Sequence, residues 1–140
     1  MKSENEQSIL EIDVCAAVIR RGGRWLLAER KQGSDLENHW EFPGGKLHEG
    51  ESQAACITRE IREELGVGIF CLGKMAEIRH VAEERTVILH FLACQLEDGE
   101  PRGCEGQKVG WFSLEEMETL LLAPADRQFL SYLKPASRNN

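Results

Sequence analysis

A chain of 140 residues, 41% hydrophobic and 29% charged, has the length and composition of one folded domain that buries its own core. Its formal charge of −7 excludes broad, sequence-independent binding to nucleic acid polymers, which needs a positive footprint. No apolar run approaches a membrane span, and the opening MKSENEQS is too polar for a signal peptide, so neither membrane nor export is expected.

Residues 1–8 and 135–140 read as polar tails around a core of about 11–133, without repeats or low-complexity linkers. The runs 12–20 and 24–30 are β-like and are separated by Arg21-Gly22-Gly23, a hairpin signal. Residues 31–39 read as a polar loop, and a short strand through Trp40, Glu41 and Phe42 leads into Pro43-Gly44-Gly45. From Glu51 to Leu65 there is neither Gly nor Pro, and Gly66 supplies a helix stop. A second long hairpin is expected from 69–81 and 86–95, turning across 82–85. A glycine-rich loop follows at 97–107, then a short strand at 108–112. Ser113-Leu114-Glu115-Glu116 has the spacing of a capping box, and a last helix is expected at 124–133. Strands mixed with three helices predict an α/β/α sandwich around a mixed sheet.

On the helix at 51–65, Glu60, Glu63 and Glu64 fall within one arc of roughly 100°, beside an apolar arc of Ala54, Ile57, Ile61 and Leu65. Like charges at these spacings repel and weaken an isolated helix. Carboxylate oxygens are also what hard divalent cations bind, with waters and substrate phosphates completing the shell. Taken alone, the cluster reads more readily as a solvated acidic face. Gly44 and Gly45 allow close backbone approach and torsions closed to other residues, and alone they read equally as a tight turn. The five cysteines (15, 56, 71, 94 and 104) form no CxxC pair, which fits reduced thiols in a cytoplasmic protein. Cys56 lies on the glutamates' side, where a small residue suits close packing. The four histidines have no ligand spacing and receive no chemistry. Trp25, Trp40 and Trp111 are expected in the core and pocket wall.

The spacing extends further than the cluster. Gly45, Glu51, Arg59-Glu60-Ile61, Glu63-Glu64 and Gly66-Val67 occupy fixed intervals whose chance occurrence is on the order of 10⁻⁷. This stretch resembles the Nudix box at every specified position. The flanks resemble the MutT branch of the Nudix hydrolases: Trp40 to Lys46 leading into the box, Leu26 to Arg30 ending in an arginine, Gly103 to Gln107 carrying a loop glutamate, and Pro124-Ala125-Asp126. The resemblance covers residues 11–133 and implies the Nudix fold.

It also implies hydrolysis of a nucleoside triphosphate, oxidised or not, to a monophosphate and pyrophosphate, by water attacking the β-phosphorus. Mg²⁺ or Mn²⁺ would be held by the Gly45 carbonyl, Glu60, Glu63, Glu64 and Glu105. Arg59 would pair with Glu51 and orient the helix carboxylates, and Glu60 or Glu105 would take the proton. Arg30, Phe42, Lys46 and Asp126 would contact the nucleotide, as monomer or homodimer. Arg30 reads otherwise as the mere end of a strand, and Asp126 as a helix cap. An ionised aspartate accepts hydrogen bonds only, so it suits the N4 amino group of cytosine better than O6 of a purine, unless it is protonated. The run Leu121 to Asp126 also resembles branch members that act on CTP and modified dCTP. Two other readings share the box: a Nudix hydrolase of ADP-ribose, dinucleotides or a pterin triphosphate, and a non-catalytic nucleotide-sensing domain.

Overall fold

The computed structural model describes residues 10–135. The strands are β1 (Leu10–Arg21), β2 (Arg24–Glu29), β3 (Trp40–Glu41), β4 (Gly44–Lys46), β5 (Ile69–Val81), β6 (Arg85–Leu96) and β7 (Val109–Phe112). The helices are α1 (Gln53–Leu65), α2 (Leu114–Thr119) and α3 (Pro124–Phe129), the last running into a 3₁₀ turn at Leu130–Leu133. The strand order is β3-β2-β1-β6-β5, with β4 on β1 and β7 on β2. β1 and β6 run parallel and the other pairs antiparallel, so the sheet is mixed.

β1 organises the molecule. Alternate residues of a strand face opposite sides, and here the two sides enter different cores. Cys15, Ala17 and Ile19 join Leu92 and Cys94 beneath α1, packed on Ile57, Ile61 and Leu65. Ala16 and Val18 join Phe91 on the far side, with Phe42, Met117 and Phe129. There Phe42 meets Phe91 and Phe129 edge-on, while Phe91 and Phe129 stack at 4.1 Å. Helices on both faces complete the expected sandwich.

α1 begins two residues later than expected because Ser52 caps it, its side chain accepting from the Ala55 N–H at 3.0 Å. Gly66 closes it in the left-handed region at φ 72°. Ser113 and Glu116 form both halves of the expected capping box. Ala54 is exposed and the buried place is taken by Cys56. The first turns of α1 are covered on the Cys56 side by β4, whose Gly45 and Lys46 carbonyls face the Cys56 sulfur at 3.8 and 3.5 Å.

β4 is a second difference. The Pro43-Gly44-Gly45 segment enters a strand that pairs with β1, Ala16 opposite Gly44 and Cys15 opposite Gly45. Neither Gly44 nor Gly45 is among the residues with positive φ, so these glycines are not needed for torsional freedom. They are needed for proximity. A Cβ on Gly44 would lie 1.8 Å from the Cys15 carbonyl oxygen, and one on Gly45 would lie 2.2 Å from the Glu60 carboxyl carbon.

Candidate active site

The C-terminal half of α1, strand β4 and the loop after β6 meet at one end of the sheet. Arg59 grips Glu51 with two parallel hydrogen bonds, Nε to Oε2 at 2.8 Å and Nη2 to Oε1 at 2.9 Å. Its Nη1 reaches Glu60 Oε2 at 2.9 Å, and Nη2 also donates to the Lys46 carbonyl at 3.2 Å. The Arg59 bonds, with the His48 N–H, hold the Glu51 carboxyl down at about 2. A bidentate arginine of this kind has one geometry, so the Glu60 carboxylate is fixed against the Gly45 backbone.

Glu105 arrives by a different route. The last carbonyls of a helix lack partners within it, and here the loop supplies them. Arg102 N–H donates to the Leu65 carbonyl at 3.1 Å and Cys104 N–H to that of Glu64 at 2.9 Å. Gln107 binds the same Glu64 carbonyl through Nε2 and accepts from the Glu105 N–H. Glu105 and Glu64 then line one cleft of about 100 Å³, together with Arg30, Lys31 and Glu41. Burial first, then the charges of Glu60, Glu105 and Glu41, push the Glu64 carboxyl up to about 8. Glu63 stands apart. Its side chain is 57% exposed, and among the described residues its ion pair is with Arg59, at 3.4 Å.

Among the described residues no three acidic, His or Cys side chains form a ready-made ion cage. Lys31 instead holds Glu105 at 2.9 Å, and Arg59 holds Glu60. The donor chemistry nevertheless fits a hard divalent cation: carboxylate oxygens, a nearby backbone carbonyl, and surplus negative charge that already forces Glu64 toward its protonated form. A raised carboxyl pKa stabilises the fold below its unfolded value near 4.5, and that contribution is lost as pH rises through about 8. The metal-free protein is therefore expected to lose thermal stability between about pH 5 and pH 8. Thermal melts in EDTA test this, and Glu64→Gln should flatten that part of the profile; an unchanged slope in the variant would assign the effect to other groups.

Arg30, Phe42, Lys46 and Asp126, distant in sequence, all line a cavity of about 400 Å³ on the opposite face of the sheet from α1. Its floor is Ile12, Val14 and Ala16 of β1 with Val87 and Leu89 of β6. Arg30 donates to the Glu41 carboxylate at 2.9 Å and to the Asp35 carbonyl at 2.6 Å, so it pins the 31–39 loop rather than simply ending a strand. Asp126 does not cap α3: Ala123 is the N-cap residue, without a side-chain bond. Asp126 is 3% exposed and its Oδ2 accepts from the Phe42 N–H at 2.9 Å. Burial, then the Glu41 charge, raises its pKa well above the usual carboxylate range, which brings a protonated, donating carboxyl within reach.

Six charged or histidine lining residues escaped sequence reasoning: Glu29, Lys31, Asp35, Glu41, His80 and Arg85. His80 and Arg85 flank the β5–β6 turn, and that position beside a hairpin end was their one available signal. His90, also passed over, is buried between Asp13 (2.8 Å) and Gln53 (3.3 Å) on the α1 side. The tryptophans do not line this cavity; Trp40 packs on Phe112 instead.

The NUDIX domain model matches residues 14–132. The CTP pyrophosphohydrolase of Escherichia coli K12 is 41% identical over 117 residues, covering 82% of this chain and 85% of that protein. The 8-oxo-dGTP diphosphatase of Haemophilus influenzae is 32% identical over 131 residues, covering 91% and 95%. The crystal structure of the MutT NUDIX hydrolase from Burkholderia pseudomallei superimposes with a TM-score of 0.81 at 29% identity, covering 89% of this chain and 98% of that one. The chain belongs to the Nudix hydrolase family, in its MutT-like branch.

Proposed function

We propose that the protein hydrolyses nucleoside triphosphates, oxidised purine or cytosine nucleotides among them, to a monophosphate and pyrophosphate. One observation carries this reading. Arg30 and Glu41 line both the 400 Å³ cavity and the carboxylate cleft, so a base and sugar bound in the cavity extend their phosphates toward Glu64 and Glu105. Nudix hydrolases generally use a divalent metal. The Gly45 carbonyl, Glu60, Glu63, Glu64 and Glu105 would hold Mg²⁺ or Mn²⁺, which would supply charge neutralisation and a more acidic water.

The chain's own groups do the rest. Arg59 fixes Glu60 where it can take the water's proton, with Glu105 the other candidate base. Lys46 and Lys31 offer ammonium groups to the phosphates, Lys31 exchanging its Glu105 partner for one. Phe42 presents a buried ring beside the base, and its N–H orients Asp126. Asp126 reads the base edge: ionised, it accepts from the N4 amino group of cytosine; protonated, it donates to a purine oxygen.

The test is a nucleotide panel with product identification in ¹⁸O-water. Monophosphate without label, and labelled pyrophosphate, are expected; orthophosphate with a diphosphate would refute the reaction. In the same panel, Asp126→Asn should lower kcat/KM for CTP or dCTP relative to 8-oxo-dGTP, by an amount equivalent to roughly 1–3 kcal/mol for one base-edge contact. An unchanged ratio would remove Asp126 from base recognition.

A further inference from the structure

Four of the five cysteines lie in the layer where α1 packs on the sheet, Cys56 on the helix and the others on the strands. Cys15 and Cys56 are completely buried, Cys94 is 5% exposed, and Cys71, on β5, is partly exposed. All are free thiols. Cys71 and Cys94 are direct partners across the β5–β6 ladder. The type of pairing follows from the hydrogen bonds. Glu97 N–H donates to the Gly68 carbonyl, so 68 and 97 form a hydrogen-bonded pair. Counting inward along an unbroken register, 69 and 96 are non-hydrogen-bonded, 70 and 95 bonded, and Cys71 with Cys94 non-hydrogen-bonded again. In such a pair the Cα atoms are about 4.5 Å apart and the side chains lean together, inside the span a disulfide bridges without moving the backbone. The ladder shifts register immediately afterwards, between Cys71 and Gly73, which gives β5 local freedom to reach the disulfide torsion. β5 is also the outer strand of the sheet, so the flank of Cys71 is not covered by another strand.

We propose that Cys71 and Cys94 are a thiol–disulfide modification site that small-molecule disulfides close into a cross-strand bridge. Cys71, the accessible member, attacks one sulfur of the reagent; that S–S bond breaks, one small thiol leaves, and a mixed disulfide forms. Cys94 gives its proton to solvent and its sulfur attacks Cys71, releasing the second small thiol. The protein loses two electrons and two protons, and the reagent takes up both as two thiols. Burial pushes the Cys94 thiol up to about 12, so the second step is slow near neutrality and quickens with pH. The bridge closes a ring around the residues of the β5–β6 hairpin, at the opposite end from its turn. Its effect falls on stability, because neither sulfur lines the nucleotide cavity or the carboxylate cleft.

The full chain is incubated with glutathione disulfide, alkylated and digested with trypsin without reduction. The expected product is peptide 63–74 joined to peptide 86–102 with loss of two hydrogens. Closure of a loop this size should raise Tm by roughly 5–10 °C, reversibly on adding dithiothreitol, with hydrolysis unchanged. Cys71→Ser should fold normally and abolish both link and shift; Cys94→Ala serves as the buried-side control. Glutathione mixed disulfides on Cys71 or Cys104 without the linked peptide would overturn the proposal. So would a bridge through Cys15, Cys56 or Cys104.

Discussion

Glu64→Gln is expected to lower kcat/KM by at least about 10²-fold, the scale of lost transition-state electrostatics in a preorganised site. The substitution preserves shape and removes one charge from a place where Glu60, Glu105 and Glu41 already crowd it. For the same reason the fold should not suffer. Relief of repulsion predicts an equal or higher Tm in EDTA near pH 8, where the wild-type carboxyl is forced to ionise. Activity and stability thus move in opposite directions, which a general folding defect cannot imitate. Full turnover in the variant, or full turnover of wild type in EDTA, would remove the carboxylate cluster from the chemistry. Glu63→Gln makes a useful companion. Its side chain is mostly in solvent and, among the described residues, is paired with Arg59, so the assignment of Glu63 as a ligand rests on whether its loss is comparably large.

The second large effect comes from two neighbouring glycines that should fail differently under one substitution. In Gly44→Ala the new Cβ meets the Cys15 carbonyl oxygen at 1.8 Å and the Ala16 Cα at 2.9 Å, both backbone in the middle of β1. No rotamer relieves that, so β4 must separate from β1. A cost of about 2–3 kcal/mol or more follows, at the upper end for overpacking, lowering Tm by roughly 5–10 °C. In Gly45→Ala the contact is with the Glu60 carboxylate, at 2.2 to 2.5 Å, the movable end of a side chain. Stability should change little. The carboxylate that Arg59 holds in place is displaced, and activity should fall by at least about 10²-fold. Matched melts and kinetics on the two proteins decide it; equal losses in both quantities for both variants would mean that the segment serves only as structure.

Much of this was legible in the sequence where side-chain pattern carries the information. The strand at Ile69–Val81 was found to the residue, because no proline or turn cluster breaks it between the Gly66 helix stop and the polar turn at 82–85. The Ser113 capping box and the Gly66 stop were readable because each rests on a single residue type at a fixed offset. β4 was not readable: Gly-Gly-Lys carries no alternation, and its partner lies some thirty residues away on β1. The docking of the Glu105 loop is also silent in sequence, since it runs through backbone N–H groups meeting helix carbonyls. Asp126 was legible as a residue of interest but not in its ionisation, which depends on burial and on Glu41 across the fold. Glu41 itself hid inside a strand of two residues.

The alternation along β1 has an evolutionary consequence. Cys15 and Ala17 pack beneath α1, while Ile12, Val14 and Ala16 form the floor on which the nucleotide would lie. On the function proposed above, the sheet separates the layer under the box helix from the floor of the base cavity, and the two meet only at its edge, beside Arg30 and Glu41. Volume can be added or removed at 12, 14, 16, 87 or 89 without a side chain entering the layer that holds the box helix. Descendants of one ancestor can therefore exchange bases while keeping the same hydrolytic parts, and a designer wishing to retarget this scaffold has five adjustable positions that leave the box helix untouched.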